Sequence, residues 1–365
     1  MDWQNDLTRM LKIDYPIIQA PMFGVTTPEM VAASSNINCL GSLSLADLSA
    51  DTCIEQIRKT KQLTHKPFAV NIFTHPIPKM TAALREKYDA AKAFIERFAQ
   101  AHDVEVALPS IDDLKIHSYH EQIAAILAEG CKILSFTFGN LDPHSIDLLK
   151  SKGIVLIGTC TSVNEAKVLE KSGIDIICVQ GLEAGGHRGS FMSDEIPKMG
   201  GLQLLAEVRE AASLPLIYAG GIYNAKTLTV SKTLGASGYQ VGSLLLGASE
   251  SALKDFEKQR LRAHTKADIV MTKSFSGRYA RGIKNIFTEA LDNTDLILPY
   301  PYQNKLTAAL RRVAKEKKQT DFLSIWVGQA IHECSSQSTA IILRDLILET
   351  QNYDGENSLH YNTTG

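Results

Sequence analysis

Residues 154–180, IVLIGTCTSVNEAKVLEKSGIDIICVQ, contain two short apolar runs separated by a segment of helical periodicity. Apolar, β-branched runs of this length are typical of parallel strands buried on both faces. The helical segment, Val163 to Lys171, lies where a crossover helix belongs, and Gly173 follows it as a helix stop. This stretch therefore predicts one strand–helix–strand unit of a parallel sheet.

Similar runs recur on both sides of this unit and predict eight strands. Several are separated by about 22 residues, which fits one strand, one helix and two short loops. Eight such units favour a closed (β/α)₈ TIM barrel over an open doubly wound sheet. The predicted strands are Pro16 to Gln19, Asn38 to Gly41, Phe68 to Asn71, Ile133 to Phe138, Ile154 to Gly158, Ile176 to Gln180, Leu216 to Ala219 and Tyr239 to Val241.

Two stretches interrupt the repeat and predict a second, smaller lobe. Residues 76–120 contain the helical run Met80 to Ala101 and are interpreted as an inserted helical segment. Residues 252–320 lack the strand–helix pattern and are interpreted as a lid over the substrate. The barrel is then expected to comprise residues 1–75, 121–251 and 321–350, with a closing helix pair within Phe322 to Leu348. The polar residues 351–365 are expected to form a flexible tail.

Composition favours a small-molecule enzyme of the cytoplasm. The chain has 38 Lys and Arg against 40 Asp and Glu, so no global field attracts nucleic acid or an anionic membrane. The six cysteines show no metal-site spacing, which predicts no metal and a reducing compartment. The polar, acidic N-terminus does not resemble a signal peptide, and no apolar run approaches the roughly 20 residues of a membrane span. The oligomeric state, monomer or homodimer, stays open.

Unusual residues follow the predicted strands, at the barrel end where such enzymes place their sites. Glycines after the seventh and eighth strands suit a phosphate pocket, because backbone N–H groups can approach the phosphate oxygens there; the alternative is that these glycines only turn the chain. The strand-end residues are Gln19, Ala20, Pro21 and Met22 after the first strand, Asn71 after the third, Gln180 after the sixth, Ala219, Gly220 and Gly221 after the seventh, and Gly242 and Ser243 after the eighth.

The loop after the sixth predicted strand carries the candidate catalytic residue. His187 lies between Gly185, Gly186 and Gly189, so the loop can lie flat against a planar cofactor. An imidazole exchanges a proton near neutrality, which suits an acid or base at a strand end. The amides of Gln19, Asn71 and Gln180 can hydrogen-bond the polar edge of a flavin ring, or equally satisfy their own loops.

With these residues in view, the chain resembles the FMN-dependent class I nitronate monooxygenases, formerly called 2-nitropropane dioxygenases, from about Tyr15 to Gln329. The family typically has Pro at the position of Tyr279 and often Thr at that of Ser243. The motifs that carry the resemblance are Gln19-Ala20-Pro21-Met22, Gly185-Gly186-His187-Arg188-Gly189, the glycines after strands seven and eight, Ser276-Gly277-Arg278-Tyr279-Ala280-Arg281-Gly282 and Trp326-Val327-Gly328-Gln329.

The resemblance implies non-covalent FMN and oxidation of an alkyl nitronate, such as propionate 3-nitronate, by O₂ to a carbonyl compound and nitrite. His187 matches the family's active-site histidine. Because nitronates are anions, a basic lid is expected, with Arg278, Arg281, Tyr302 and Lys305 as the candidate substrate residues.

Other functions stay open at this point. An NAD(P)H-dependent FMN reductase of the enoyl-ACP reductase type shares the first motif and a similar Gly-Gly-His loop. A nucleotide dehydrogenase related to inosine monophosphate metabolism would need a loop cysteine, and none occurs between Gly181 and Gly200. A non-catalytic flavin- or phosphate-binding module is a further alternative, since a fold does not dictate activity.

Overall fold

Eight parallel strands form a barrel in the computed structural model, which describes residues 2–329 and 335–362 and side chains as far as residue 354. Neighbouring strands pair in the order β1-β9-β8-β6-β5-β4-β3-β2, and a parallel bridge between Ile18 and Leu40 joins the two ends. The barrel strands are β1 (Ile17–Gln19), β2 (Gly41–Ala46), β3 (Phe68–Phe73), β4 (Ile133–Thr137), β5 (Val155–Cys160), β6 (Ile176–Gln180), β8 (Leu216–Ala219) and β9 (Gly238–Val241).

The predicted (β/α)₈ barrel is confirmed, with one strand displaced. The second strand runs from Gly41 to Ala46, whereas the sequence predicted Asn38 to Gly41. Its alternating Ser42 and Ser44 break the apolar run that identified the other strands, because Ser42 lines the barrel's polar end. Pattern reading therefore found only the apolar start of this strand.

Helices cover the outside of the barrel, and one closes its base. Leu7 and Leu11 of α1 are buried with apolar residues of the barrel interior, and Leu7 packs near Gly238, the first residue of β9. The end of the barrel at the strands' N-termini is thus filled with apolar side chains. The helices are α1 (Asp6–Leu11), α2 (Pro28–Ser35), α3 (Ala50–Leu63), α4 (Ala82–Gln100), α5 (Tyr119–Ala128), α6 (Pro143–Ser151), α7 (Val163–Lys171), α8 (Gly201–Ala211), α9 (Ala225–Thr233), α10 (Asp255–Ala263), α11 (Ile286–Leu291), α12 (Tyr302–Glu316) and α13 (Thr339–Asn362).

A second hydrophobic cluster joins α4, α11 and α12 beside the barrel, with Tyr88, Phe287 and Leu306 fully buried in it. An antiparallel sheet connects this lobe to the barrel: β10 (Ile269–Thr272) pairs with β11 (Ala280–Ile283), and β11 pairs with β7 (Gly186–His187). The loop after β6 is therefore a strand of the second lobe's sheet. We propose the division into barrel and lobe on these clusters.

The C-terminal region differs from the predicted helix pair. Among the described residues after 321 there is one α-helix, α13, and residues 330–334 lie outside the described chain. Phe322 ends a short 3₁₀ helix (Thr320–Phe322), and Phe322 and Val327 pack into the second lobe's cluster, whereas Leu343 of α13 packs on the barrel. Helix α13 continues to Asn362, into the predicted tail. None of the described helices is long and apolar enough to cross a membrane.

Candidate functional site

A cavity of about 750 Å³ opens at the barrel end formed by the strands' C-termini. Alternate residues of each strand point into the barrel, and at this end they are polar: Ser42, Asn71, Ser135, Thr159 and Gln180 all line the cavity. Asn71 Nδ2 donates to Ser135 Oγ at 2.9 Å. The floor of the cavity therefore offers hydrogen-bonding groups above an apolar barrel interior.

Most of the strand-end residues predicted from the sequence line this cavity. Gln19 does not: its side chain is fully buried, and its Oε1 accepts from the N–H of Ser42 at 3.0 Å while Nε2 donates to Thr26 Oγ1 at 3.1 Å. Since Ile18 points into the barrel, Gln19 points out of it. The predicted residues that line the cavity are Ala20, Pro21, Met22, Asn71, Gln180, Gly185, Gly186, His187, Ala219, Gly220, Gly221, Gly242 and Ser243.

Gly220 and Gly221, directly after β8, line the cavity and form a turn that we call the glycine cradle. Gly220 and Gly221 have φ of +137° and +67°, a backbone region that L side chains rarely adopt. Among the described residues we find no acceptor for their N–H groups. Ser243 opens a short 3₁₀ turn beside them and accepts a hydrogen bond from the N–H of Gly328 at 2.8 Å. Such exposed N–H groups suit a phosphate.

The loop after β6 is fixed by hydrogen bonds from both lobes. Gln180 Nε2 donates to the carbonyl of His187 at 2.9 Å, and Gln180 Oε1 accepts from the N–H of Gly189 at 2.8 Å. On the other side His187 pairs with Ala280 of β11, and the N–H of Arg188 donates to the carbonyl of Tyr279 at 2.7 Å. The histidine is thus held between barrel and lobe. The amide of Gln180 acts here on its own loop.

His187 lies in an aromatic and cationic environment that keeps its ring neutral. Its ring centroid is 5.7 Å from that of Phe138 and 5.3 Å from that of Trp326, while part of its surface stays open to the cavity. Burial, together with the positive charges of Arg278 and Arg311, lowers the pKa of His187 to about 3. At neutral pH the imidazole is a neutral hydrogen-bonding group.

Ser276 holds the imidazole of His187 in place. His187 Nε2 lies 2.8 Å from Ser276 Oγ, and Ser276 is itself buried. The Oγ also accepts a hydrogen bond from the N–H of Arg278 at 3.3 Å and lies 3.1 Å from the carbonyl of Arg278. The direction of the bond between Oγ and Nε2 depends on the imidazole tautomer, and in either tautomer the bond fixes the orientation of the ring.

The four predicted substrate residues do not line the cavity. The guanidinium of Arg278 lies 4.4 Å from the centre of the Phe138 ring and donates to the carbonyl of Ser190. Arg281 is buried and donates to the carbonyl of Leu182 at 2.9 Å. Both arginines hold the walls of the site, and the charge of Arg278 also lowers the pKa of His187.

The remaining two predicted residues are also structural. Tyr302 is buried and donates its hydroxyl to the carbonyl of Pro78 at 2.9 Å, which ties the two parts of the second lobe together. Lys305 Nζ is paired with Asp47 Oδ2 at 2.8 Å. Asp47 lines the cavity, so Lys305 neutralises a carboxylate of the site from behind.

The cation that faces the cavity near His187 is Arg311, which the sequence did not single out. One of its terminal nitrogens donates to Asn304, at 2.7 Å to Oδ1 and 2.9 Å to the carbonyl, and both residues line the cavity. Burial lowers its pKa to about 10, against the opposing effects of Asp47 and Tyr300, so it is charged at neutral pH. Tyr300 also lines the cavity, buried against Phe138 with ring centroids 5.6 Å apart.

Tyr279, at the position where the family typically has Pro, lies outside the lining of the cavity. Lys273 Nζ lies 4.3 Å from the centre of its ring. Its role at the site is that of its backbone carbonyl, which accepts from Arg188. A proline at this position would keep that carbonyl.

Known proteins resemble this chain over nearly its whole length. The family model described as nitronate monooxygenase matches residues 4–349. A probable nitronate monooxygenase of Staphylococcus saprophyticus is 34% identical over 351 residues, covering 95% of this chain and 98% of the relative. A probable nitronate monooxygenase of Staphylococcus aureus is 34% identical over 347 residues, covering 94% and 96%.

Two solved structures share the fold. Nitroalkane oxidase from Streptomyces ansochromogenes superposes with a TM-score of 0.85 at 29% identity, covering 96% of this chain and 99% of that one. FabK from Thermotoga maritima superposes with a TM-score of 0.75 at 22% identity, covering 98% and 99%. The second likeness concerns the fold alone.

Proposed function

Because the chain belongs to the nitronate monooxygenase family, we propose that it oxidises alkyl nitronates, such as propionate 3-nitronate, with FMN and O₂ to a carbonyl compound and nitrite. Membership of the family makes the protein an oxidoreductase acting on nitronates or nitroalkanes. The cofactor, the substrate and the products are our proposal.

The glycines that line the cavity support the proposal of FMN as the cofactor. A Cβ on Gly185 would lie 2.5 Å from the backbone nitrogen of Gly328, so this wall tolerates no side chain. Gly220, Gly221 and Ser243 would hold the phosphate through backbone N–H groups, and Asn71 is available to the polar edge of the ring. When bound, the flavin supplies the electron transfer and the oxygen chemistry that no side chain here can supply.

The side chains supply binding, orientation and charge. Arg311 lies in the cavity wall as a half-buried, permanently charged guanidinium, which suits an anionic nitronate. His187, neutral and fixed by Ser276, lines the cavity with a polar ring and adds no charge to the site. Phe138, Trp326 and Tyr300 surround this region with rings and exclude water.

The observation that carries the proposal is that His187, Arg311 and the glycine cradle all line one cavity. The test is to purify the protein, record its visible spectrum, and add ethyl nitronate under air. We expect a yellow protein, nitrite release and oxygen uptake. The variant His187→Asn is expected to bind FMN and lose turnover. A colourless protein that does not bind added FMN would refute the proposal.

The alternatives make different predictions in the same preparation. Rapid anaerobic bleaching of the flavin by NADH or NADPH, without nitrite release under air, would identify a reductase. Full activity of His187→Asn would remove the histidine from the proposed chemistry. A yellow protein inert in both assays would be a flavin-binding module.

A further inference from the structure

The cavity extends along helix α12, away from His187. Asn304, Arg311 and Lys315 all line it, and their spacing of seven and four residues places them on one face of the helix. At 1.5 Å per residue, the helix advances about 16 Å between Asn304 and Lys315. The cavity is therefore elongated.

The two ends of this elongated cavity differ. At the inner end, Arg311 reaches back to Asn304, and Tyr300 packs on Phe138, which in turn packs on His187. At the outer end, Lys315 Nζ is paired with Glu257 Oε2 of α10 at 2.8 Å, and both residues line the cavity. Glu257 is buried and neutralises Lys315, and Arg312, which also lines the cavity, is paired with Glu316 Oε1 at 3.1 Å, so both cations of the described lining at this end have a carboxylate partner.

The wall between these ends is apolar. Val25, Leu246 and Leu323 line it and are 7%, 2% and 4% exposed, so they are packed from behind and present fixed apolar surfaces. Leu253 also lines it and is only partly buried. These residues come from the loop after β1, the segment from β9 to α10, and the segment after α12. We call the surface formed by Val25, Leu246, Leu253 and Leu323 the apolar arm.

We propose that the apolar arm binds the hydrocarbon chain of the substrate, so that this enzyme prefers nitronates of five or more carbons to ethyl nitronate. The inference rests on the proposed function and specifies its substrate class. The anionic head has its cation, Arg311, at the inner end. Beyond that cation the arm offers apolar contact, and the cations at its outer end are paired with carboxylates, which suits a chain of methylene groups.

Chain length is then expected to raise kcat/KM. Burying one methylene group contributes about fourfold in an equilibrium constant, from roughly 0.8 kcal/mol per group. From ethyl to hexyl nitronate, kcat/KM should rise at least tenfold even if the chain fills the arm only in part. Binding of the inert carboxylates acetate and hexanoate to the FMN-loaded protein, measured by calorimetry, should show the same preference without turnover.

The decisive variants change Leu253, which is one of the four residues of the apolar arm. Leu253→Trp should lower kcat/KM for hexyl nitronate at least tenfold, leave that for ethyl nitronate within about twofold, and keep FMN. Leu253→Ala, a milder change should the tryptophan variant fail to fold, should reduce the preference for hexyl nitronate severalfold. Leu348→Trp, on the exposed surface of α13, is the matched control and should change nothing.

Three results would overturn the inference. The first is an equal kcat/KM for ethyl and hexyl nitronate together with equal binding of acetate and hexanoate. The second is an equal loss of kcat/KM on both nitronates in Leu253→Trp. The third is loss of FMN from that variant, which would assign the arm to the cofactor. If neither nitronate is oxidised but hexanoate binds more tightly than acetate, the proposed function fails while the arm stands.

Discussion

Substituting Gly185 by alanine would press a side chain against the backbone of Val327 and Gly328 on the wall of the cavity. The new Cβ would lie 2.5 Å from Gly328 N and 2.6 Å from Val327 C, and ordinary contact begins at 3.4 Å. Residues 327–328 must therefore move by about 0.9 Å, or the loop after β6 must move away by as much. Either movement displaces one wall of the proposed FMN site.

The expected loss of FMN affinity follows from the contacts of Gly328. Its N–H donates to Ser243 Oγ at 2.8 Å, and a shift of about 0.9 Å away from Gly185 would stretch or misalign that bond. Losing it costs about 1 kcal/mol, and overpacking costs a further 1–3 kcal/mol or so. Since the loop can relax when no ligand holds it, we expect the cost to appear in binding, as an FMN Kd raised roughly 30- to 1,000-fold.

The assay is titration of the apoprotein with FMN, followed by quenching of flavin fluorescence. Gly200→Ala is the matched control, because Gly200 has a φ of −67° and no atom within 4 Å of the added Cβ. An FMN Kd for Gly185→Ala equal to that of the control would refute the reasoning, because the wall would then be shown to yield without cost.

Three further results are expected. Since burial lowers the pKa of His187 to about 3, kcat/KM should show no histidine inflection between pH 5 and 9. Between pH 6.5 and 3 the unfolded state takes up a proton on this histidine and the folded state does not. The free energy of unfolding, measured in urea, should therefore decrease as the pH is lowered from 6.5 to 3, and it should decrease less steeply in His187→Asn. Arg311→Met should raise KM for nitronates about 10- to 100-fold, which is the contribution of a hydrogen bond to a charged group, and should leave the FMN affinity unchanged. The control is Arg97→Met, at an exposed residue. If KM rises no more in Arg311→Met than in this control, Arg311 does not bind the nitronate. Ser276→Ala should lower kcat several-fold at constant FMN affinity, with partial rescue by Ser276→Thr, and an unchanged kcat would show that the imidazole needs no orienting partner.

Pattern reading located the barrel and most of the cavity, because both depend on local sequence. Parallel strands are buried on both faces and appear as apolar runs, and the residues that follow them lie at one end of the barrel. His187, Gly220 and Gly221 were therefore identified by position in the chain. Gln19 was not placed correctly, because the predicted strand did not fix which of its residues point inward.

The choice among cations illustrates what local patterns leave undecided. Arg278, Arg281 and Lys305 lie in or near a conspicuous motif, yet the fold uses the two arginines to hold carbonyl groups and the lysine to neutralise Asp47. Arg311 lies in an ordinary amphipathic helix. Its proposed role depends on which face of α12 meets the cavity, and the sequence marks that face only by polar residues such as those at positions 304, 311 and 315.

By itself the sequence determined the (β/α)₈ architecture, the strand-end glycines and the histidine among them, since each is written in contiguous residues. Only the tertiary structure decided the rest: the pairing of His187 with Ala280, the placement of Arg311 in the cavity wall and the apolar arm beyond it. These features bring together residues far apart in the chain. Their side chains meet only because the second lobe packs against the barrel in one particular orientation.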